Sequence, residues 1–247
     1  MKTFTIGKKK IVLKEEWMVG FITTWIVGLL AHAYRFFNFL PIWDSIYNFT
    51  GVGSTYTLGR WFLGYAGLIT SMFDLPWVNG AFSLFYISIV VILLTEMFEI
   101  KNKGMIVLCA AIFVSFPTVV SSFAYMYTAD AYLLAFLLAT LAVYLTWCVK
   151  KWGTIAGMVC LAFAMGIYQA YATVAIVLVL LYIIRQFVIE KLDFLEAVRK
   201  DLKYLGMLVG GAVLYAVILK ITLIRYNITL PGYQGIGALG IMSLGQY

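Results

Sequence analysis

Long apolar runs broken by short polar knots set the architecture. Seven runs approach the roughly 20 helical residues that a bilayer core requires: 17–36, 77–98, 105–123, 129–149, 152–167, 171–189 and 204–224. The fifth is short and leads at once into the sixth, so the pair predicts a tight helical hairpin. The stretch 61–73 is apolar but stops at Asp74 and Pro76, which is short for a span. It predicts an interfacial or re-entrant helix lying flat on the outer surface. Between the last two runs, 190–203 mixes charges with Phe194, Leu195, Val198 and Leu202 at helical spacing. That pattern predicts an amphipathic helix on the inner surface, or a docking site for a cytosolic partner. No repeat or soluble domain stands out, so 1–247 reads as one transmembrane module with a large outer loop over 37–76.

Composition sharpens the class. Of 247 residues, 64% are hydrophobic and 12% are charged, against about 45–50% and 25% in an ordinary globular domain. Mean hydropathy is +0.96. A soluble enzyme, a disordered tail and a disulfide scaffold are excluded, and an all-α polytopic membrane protein remains. The net charge of +7 does not signal nucleic acid, because the basic residues sit in clusters between apolar runs. With seven crossings, 14 of them fall on one side: Lys2, Lys8, Lys9, Lys10, Lys14, Lys101, Lys103, Lys150, Lys151, Arg185, Lys191, Arg199, Lys200 and Lys203. Only Arg35, Arg60, Lys220 and Arg225 fall on the other, which predicts the amino terminus inside and the carboxyl terminus outside. The basic start, apolar run and Ala31-His32-Ala33 imitate a cleaved signal peptide, but the expectation is a retained first helix. Cys109, Cys148 and Cys160 lie in apolar runs without metal-ligand spacing.

This orientation divides the acids. Most mingle with inner lysines and arginines, whereas Asp44, Asp74 and Asp130 lie outside with His32, Arg35, Arg60, Gln169, Lys220 and Arg225. Charged groups are costly near hydrocarbon, so such a gathering marks a site. Asp44 is either a general base toward a hydroxyl or a solvated loop carboxylate. Asp74 reads as a helix-start residue ahead of Pro76. Asp130 is either a cap near the fourth helix or a second acid facing the same cavity. Arg60, in Gly59-Arg60-Trp61, either grips a lipid phosphate or snorkels. Lys220 and Arg225 either snorkel or neutralise a phosphate leaving group. His32 shares a helical face with Arg35 and reads as a satisfied interface histidine. Two glycosylation sequons, at Asn48 and Asn227, face outward in this scheme. No His/Asp/Glu set has metal-site spacing, so no cofactor is assigned and a divalent metal is left open.

Several segments, in order along the chain, resemble the bacterial GtrII-type glucosyltransferases, integral membrane enzymes of the GT-C class. They are Asp44 with Tyr47, Gly59-Arg60-Trp61, Pro117, the stretch Ser122-Phe123-Ala124-Tyr125-Met126-Tyr127-Thr128-Ala129-Asp130, Gly166-Ile167-Tyr168-Gln169-Ala170-Tyr171 and Tyr233-Gln234-Gly235-Ile236. The resemblance implies transfer of a sugar, glucose above all, from a polyprenyl-phosphate donor to a surface glycan outside the bacterial cytoplasmic membrane. It maps the acidic residue of the first outer loop onto Asp44. On that reading Asp44 deprotonates the acceptor hydroxyl and one displacement inverts the anomeric centre. Arg60, Lys220 and Arg225 hold the donor phosphate. Asp130, Tyr168 and Gln169 bind sugar hydroxyls or orient Asp44, and Trp61 stacks on sugar or sits among headgroups. Similar proteins continue through further membrane helices, so the chain is expected to be a short member or the amino-terminal part of a longer enzyme. A transporter or flippase of lipid-linked glycans is the alternative; it predicts polar residues at mid-membrane. A non-catalytic scaffold is the third.

Overall fold

The computed structural model describes residues 2–6, 9–47, 55–70, 73–191 and 193–230. It opens with a feature the apolar runs do not announce. Lys2–Ile6 (β1) and Lys9–Leu13 (β2) pair as an antiparallel hairpin, with Lys2 opposite Leu13. Thr3, Thr5, Ile6, Ile11 and Val12 are β-branched, which favours the extended backbone. The expected all-α fold is corrected to this extent, and every other described element is helical.

The longer helices are α1 (Glu15–Phe37), α4 (Pro76–Met97), α5 (Lys103–Ser115), α7 (Met126–Cys148), α8 (Gly153–Ile167), α9 (Ala172–Arg185) and α10 (Phe194–Tyr226). Between them lie the short α2 (Trp43–Tyr47), α3 (Leu63–Ala66) and α6 (Pro117–Ser122). Five helical stretches are long and apolar enough to cross a membrane: Glu15–Phe37, Pro76–Met97, Lys103–Cys148, Gln169–Glu190 and Arg199–Tyr226. The protein is therefore a polytopic helical membrane protein. The third stretch contains two of the seven expected runs, joined through Phe116 and Pro117. Phe116 is extended (φ −64, ψ 140), as a residue before proline prefers. Gly153–Ile167 is apolar but only 15 residues long, shorter than a full span.

Two expectations change. The flat helix over 61–73 shrinks to the single turn Leu63–Ala66. Gly59, Gly64 and Gly67 interrupt this stretch, and glycine disfavours helix by about 1 kcal/mol. Trp61, Leu63 and Ala66 are buried here, with α3 lying against α7 and α8. The inner amphipathic segment and the last apolar run are also not separate. They form one helix of 33 residues, about 50 Å long at 1.5 Å per residue, because no glycine or proline stands between Phe194 and Tyr204.

α7 packs between α4 and α8, α8 in turn carries α10, and α1 lies on α4 and α5. The tight α7–α8 contact comes from small residues, the usual device where apolar surface alone cannot drive helix association. Ala135, Ala139 and Ala142 on α7 are fully buried. Opposite them, a Cβ at Gly153 would lie 2.2 Å from the Leu145 carbonyl oxygen, and one at Gly157 2.7 Å from that of Ala142. Backbone cannot yield as a side chain does. Gly157→Ala is therefore expected to lower the thermal midpoint in detergent, by an overpacking cost of about 1–3 kcal/mol. Gly206→Ala on α10, with no neighbour within 4 Å, should leave it unchanged or raised.

Polar groups gather at the two ends of the bundle. At one, Lys14 pairs with Glu96 (2.7 Å), Lys103 with Glu15, and Arg185 with both Glu99 and Glu190 (2.9 Å each). At the other lie Arg35, Asp44, Arg60, Asp74 and Asp130.

Candidate active site

The site begins at a turn. The 3-10 turn Tyr56–Leu58 ends at Gly59, whose φ of +74 lies in the left-handed region that suits glycine. The Arg60 amide closes the turn on the Thr55 carbonyl (2.9 Å). Gln169 Nε2 donates to the Leu58 carbonyl (2.8 Å) and to the Tyr215 hydroxyl (2.9 Å). That hydroxyl donates to the Gly59 carbonyl (3.1 Å). Tyr56 stacks on Tyr226 with ring centroids 5.2 Å apart, a second tie between the turn and α10.

From this turn Arg60 reaches into a cluster of tyrosines. Its guanidinium carbon sits 4.5 Å from the Tyr168 ring centre, and Nη1 donates to the Tyr132 hydroxyl (3.2 Å). Tyr132 and Tyr168 stack at 5.5 Å. The aromatic faces stabilise the cation where lipid would penalise it. The Arg60 Nε is shielded from solvent and has no hydrogen-bond partner. A guanidinium is the side chain suited to paired hydrogen bonds with an oxyanion.

Asp44 stands exposed in the first turn of α2. Asp44 and Arg60 each act electrostatically on Tyr127, at the start of α7. Deeper in, Asp130 is 2% exposed and accepts from Asn79 Nδ2 (3.0 Å) and Thr70 Oγ1 (3.2 Å). Asn79 Oδ1 in turn accepts from the Leu75 amide (2.9 Å). This chain ties the 55–75 connection to α4 and α7. His32 bonds the Val114 carbonyl (2.9 Å) and Arg35 donates through Nε to that of Phe123 (2.8 Å), so α1 holds the bend that leads into α7.

The model of the family described as Glucosyl transferase GtrII matches residues 33–247. The chain belongs to the GtrII glucosyl transferase family. No match was found among curated proteins or among solved structures. Membership points to glucosyl transfer at a membrane, and the matched region holds Asp44, Arg60 and their neighbours.

In this GtrII protein the expected residues separate into groups. Arg60 and Tyr168 come together, with Asp44 in reach of the same cluster. Lys220 and Arg225 are exposed on α10, flanking the face that carries Tyr215 and Tyr226. Neither shares a hydrogen bond or ion pair with Arg60 among the described residues. Three residues expected at the sugar are engaged inside the protein. Asp130 is bonded in its buried chain, and the Gln169 amide is committed to the turn. Trp61 is 7% exposed, edge-on to Phe163 at 5.3 Å, so its ring has no face left to stack on a sugar. The Tyr168 ring is engaged by both the guanidinium and the Tyr132 ring. Residues 233–236 and the Asn48 sequon lie outside the described residues. Tyr215, Asn79 and Tyr132 escaped the sequence reading. Their signal was a hydroxyl or amide inside an apolar run, which must find a partner there.

Asp74 is the outlier. It stands just ahead of α4, which begins at Pro76 as expected, with Leu75 as the N-cap. Both Asp74 carboxylate oxygens are shielded and unbonded. Burial raises its pKa above the usual aspartate range, with the Arg35 charge and the nearby Ser45 hydroxyl pulling the other way. The folded state therefore holds this proton more tightly than the unfolded chain, and stability falls as pH rises above about 4 toward the raised value. Asp74→Asn should match or exceed the wild-type thermal midpoint at pH 7.5, with the gap narrowing as pH falls. A gap independent of pH in a detergent thermal series would contradict this.

Proposed function

We propose that this protein transfers a glucosyl residue from a polyprenyl-phosphate donor to a cell-surface glycan, on the outer side of the bacterial cytoplasmic membrane, as a GT-C enzyme. The observation that carries the reading is Arg60, a half-buried cation against the Tyr168 ring and bonded to the Tyr132 hydroxyl, at the same end of the bundle as an exposed carboxylate in a GtrII-family chain. The reading takes seven crossings with the amino terminus inside. α1 and α10 run the same way between the two polar ends, as any odd number of crossings requires: α1 starts beside Glu96 and ends at Arg35, and α10 starts beside Glu190 and ends beside Tyr56.

The donor lies along the bundle with its prenyl chain in lipid and its phosphate at Arg60. Asp44 removes the proton from the acceptor hydroxyl as that oxygen attacks the anomeric carbon. The bond from that carbon to the phosphate oxygen breaks, and polyprenyl phosphate departs with its electrons. A single displacement inverts the configuration. The phosphate gains negative charge as it leaves, so the guanidinium binds the transition state more strongly than the ground state. Lys220 and Arg225 add positive potential along the outer end of α10. Tyr168 walls the guanidinium, and Asp130 braces the loop that carries it.

The test is transfer from polyprenyl-phosphate glucose in proteoliposomes. Asp44→Asn should lower the rate about 10²–10⁴-fold, the usual range for a general base. Arg60→Gln should lower it about 10²–10³-fold, with both variants expressed and folded as wild type. Full activity in Asp44→Asn removes that residue from the base role. Movement of the lipid between leaflets without sugar transfer would favour the flippase instead.

A further inference from the structure

We infer that Gln169 and Tyr215 are positioning residues for Arg60, acting through the two peptide carbonyls that precede it. The inference rests on the reading of Arg60 as the donor-phosphate cation. Leu58 and Gly59 contribute the carbonyls; Gln169 bonds the first and Tyr215 the second, and the two side chains bond each other. Three hydrogen bonds thus close a ring around the peptide that launches Arg60. Gly59 is the one residue type that admits the ring. Its φ is +74, and a Cβ there would lie 2.6 Å from Gln169 Nε2 and 2.8 Å from the Tyr215 hydroxyl.

The ring joins parts of the chain far apart in sequence. Gln169 opens the 3-10 turn between α8 and α9, next to Tyr168, whose ring lies against the guanidinium. Tyr215 is on α10, which makes no direct bond to Arg60. One peptide segment therefore fixes both the backbone that aims the arginine and the aromatic face that receives it. Without the ring, the Gly59 carbonyl loses its partner and the turn is free to rotate, because glycine resists rotation least. The guanidinium would then lose its fixed direction while keeping its charge. A positioning role of this kind appears as weakened phosphate binding that depends on Arg60 being present.

The experiment is a double-mutant cycle on the full chain in detergent, read by binding of polyprenyl phosphate and by KM and kcat for polyprenyl-phosphate glucose. Tyr215→Phe removes only the hydroxyl and is expected to weaken polyprenyl phosphate binding about tenfold, the worth of one to two ordinary hydrogen bonds. KM should rise and kcat fall together, with the thermal midpoint near wild type. In an Arg60→Gln background, Tyr215→Phe should have no further effect on binding. Gln169→Met, which keeps length and loses the donor, should repeat the pattern and serves if Tyr215→Phe misfolds. Equal losses with and without Arg60, or unchanged binding in both variants, would overturn the positioning role while Arg60→Gln still binds weakly. Unchanged binding in Arg60→Gln alone would instead overturn the reading of Arg60 as the phosphate cation.

Discussion

A polar group inside an apolar bundle must find a partner within the protein or move to an end, and this constraint organises the whole molecule. Hydroxyls in mid-helix are satisfied locally. Thr24, Ser88, Thr95, Thr140 and Thr146 each donate to the carbonyl one turn earlier, at 2.7–3.0 Å. Ionised groups gather at the two ends and differ in kind. One end is a lattice of lysine and arginine pairs with glutamate. At the other, a single arginine is held by aromatic rings and hydrogen bonds, with donors to spare. The first arrangement neutralises charge; the second holds a cation against aromatic rings.

The second end is built by supports. Asp130, Asn79 and Thr70 brace the loop from beneath, and Gln169 with Tyr215 fixes the turn above. Both sets tie the long connection between α1 and α4 to helices whose packing is set elsewhere, by alanines and glycines along α7 and α8. Close backbone approach in the bundle thereby becomes precision at Arg60. The protein belongs to a family of glucosyl transferases.

The apolar runs made most of the helices legible, because lipid tolerates few alternatives to a helix with all backbone bonds internal. They did not reveal that runs at 105–123 and 129–149 join in one helical stretch bent at Pro117, since the polar residues before 129 read as a loop. The hairpin at Lys2–Ile6 was hidden by its lysines, read only for orientation. Near the site, Arg60 and Tyr168 were legible as polar and aromatic residues at an apolar boundary. Asp130 and Gln169 were singled out as sugar-binding or Asp44-orienting residues, but their partners inside the protein were not, because a sequence does not show which buried donor faces which acceptor. Tyr215 was silent for the same reason: its partner carbonyl, Gly59, lies 156 positions away in the chain.

In the proposed function the two ends face opposite sides of the membrane, with Arg60 outward. The direct measurement is labelling by a membrane-impermeant maleimide in intact cells, using single cysteines in a variant lacking Cys109, Cys148 and Cys160. A cysteine at Asn38, exposed at the Arg60 end, is predicted to label from outside. One at Lys101, exposed at the lysine-rich end, is predicted to label only after the membrane is opened. The reverse pattern would put the arginine and its carboxylate in the cytoplasm and contradict the account.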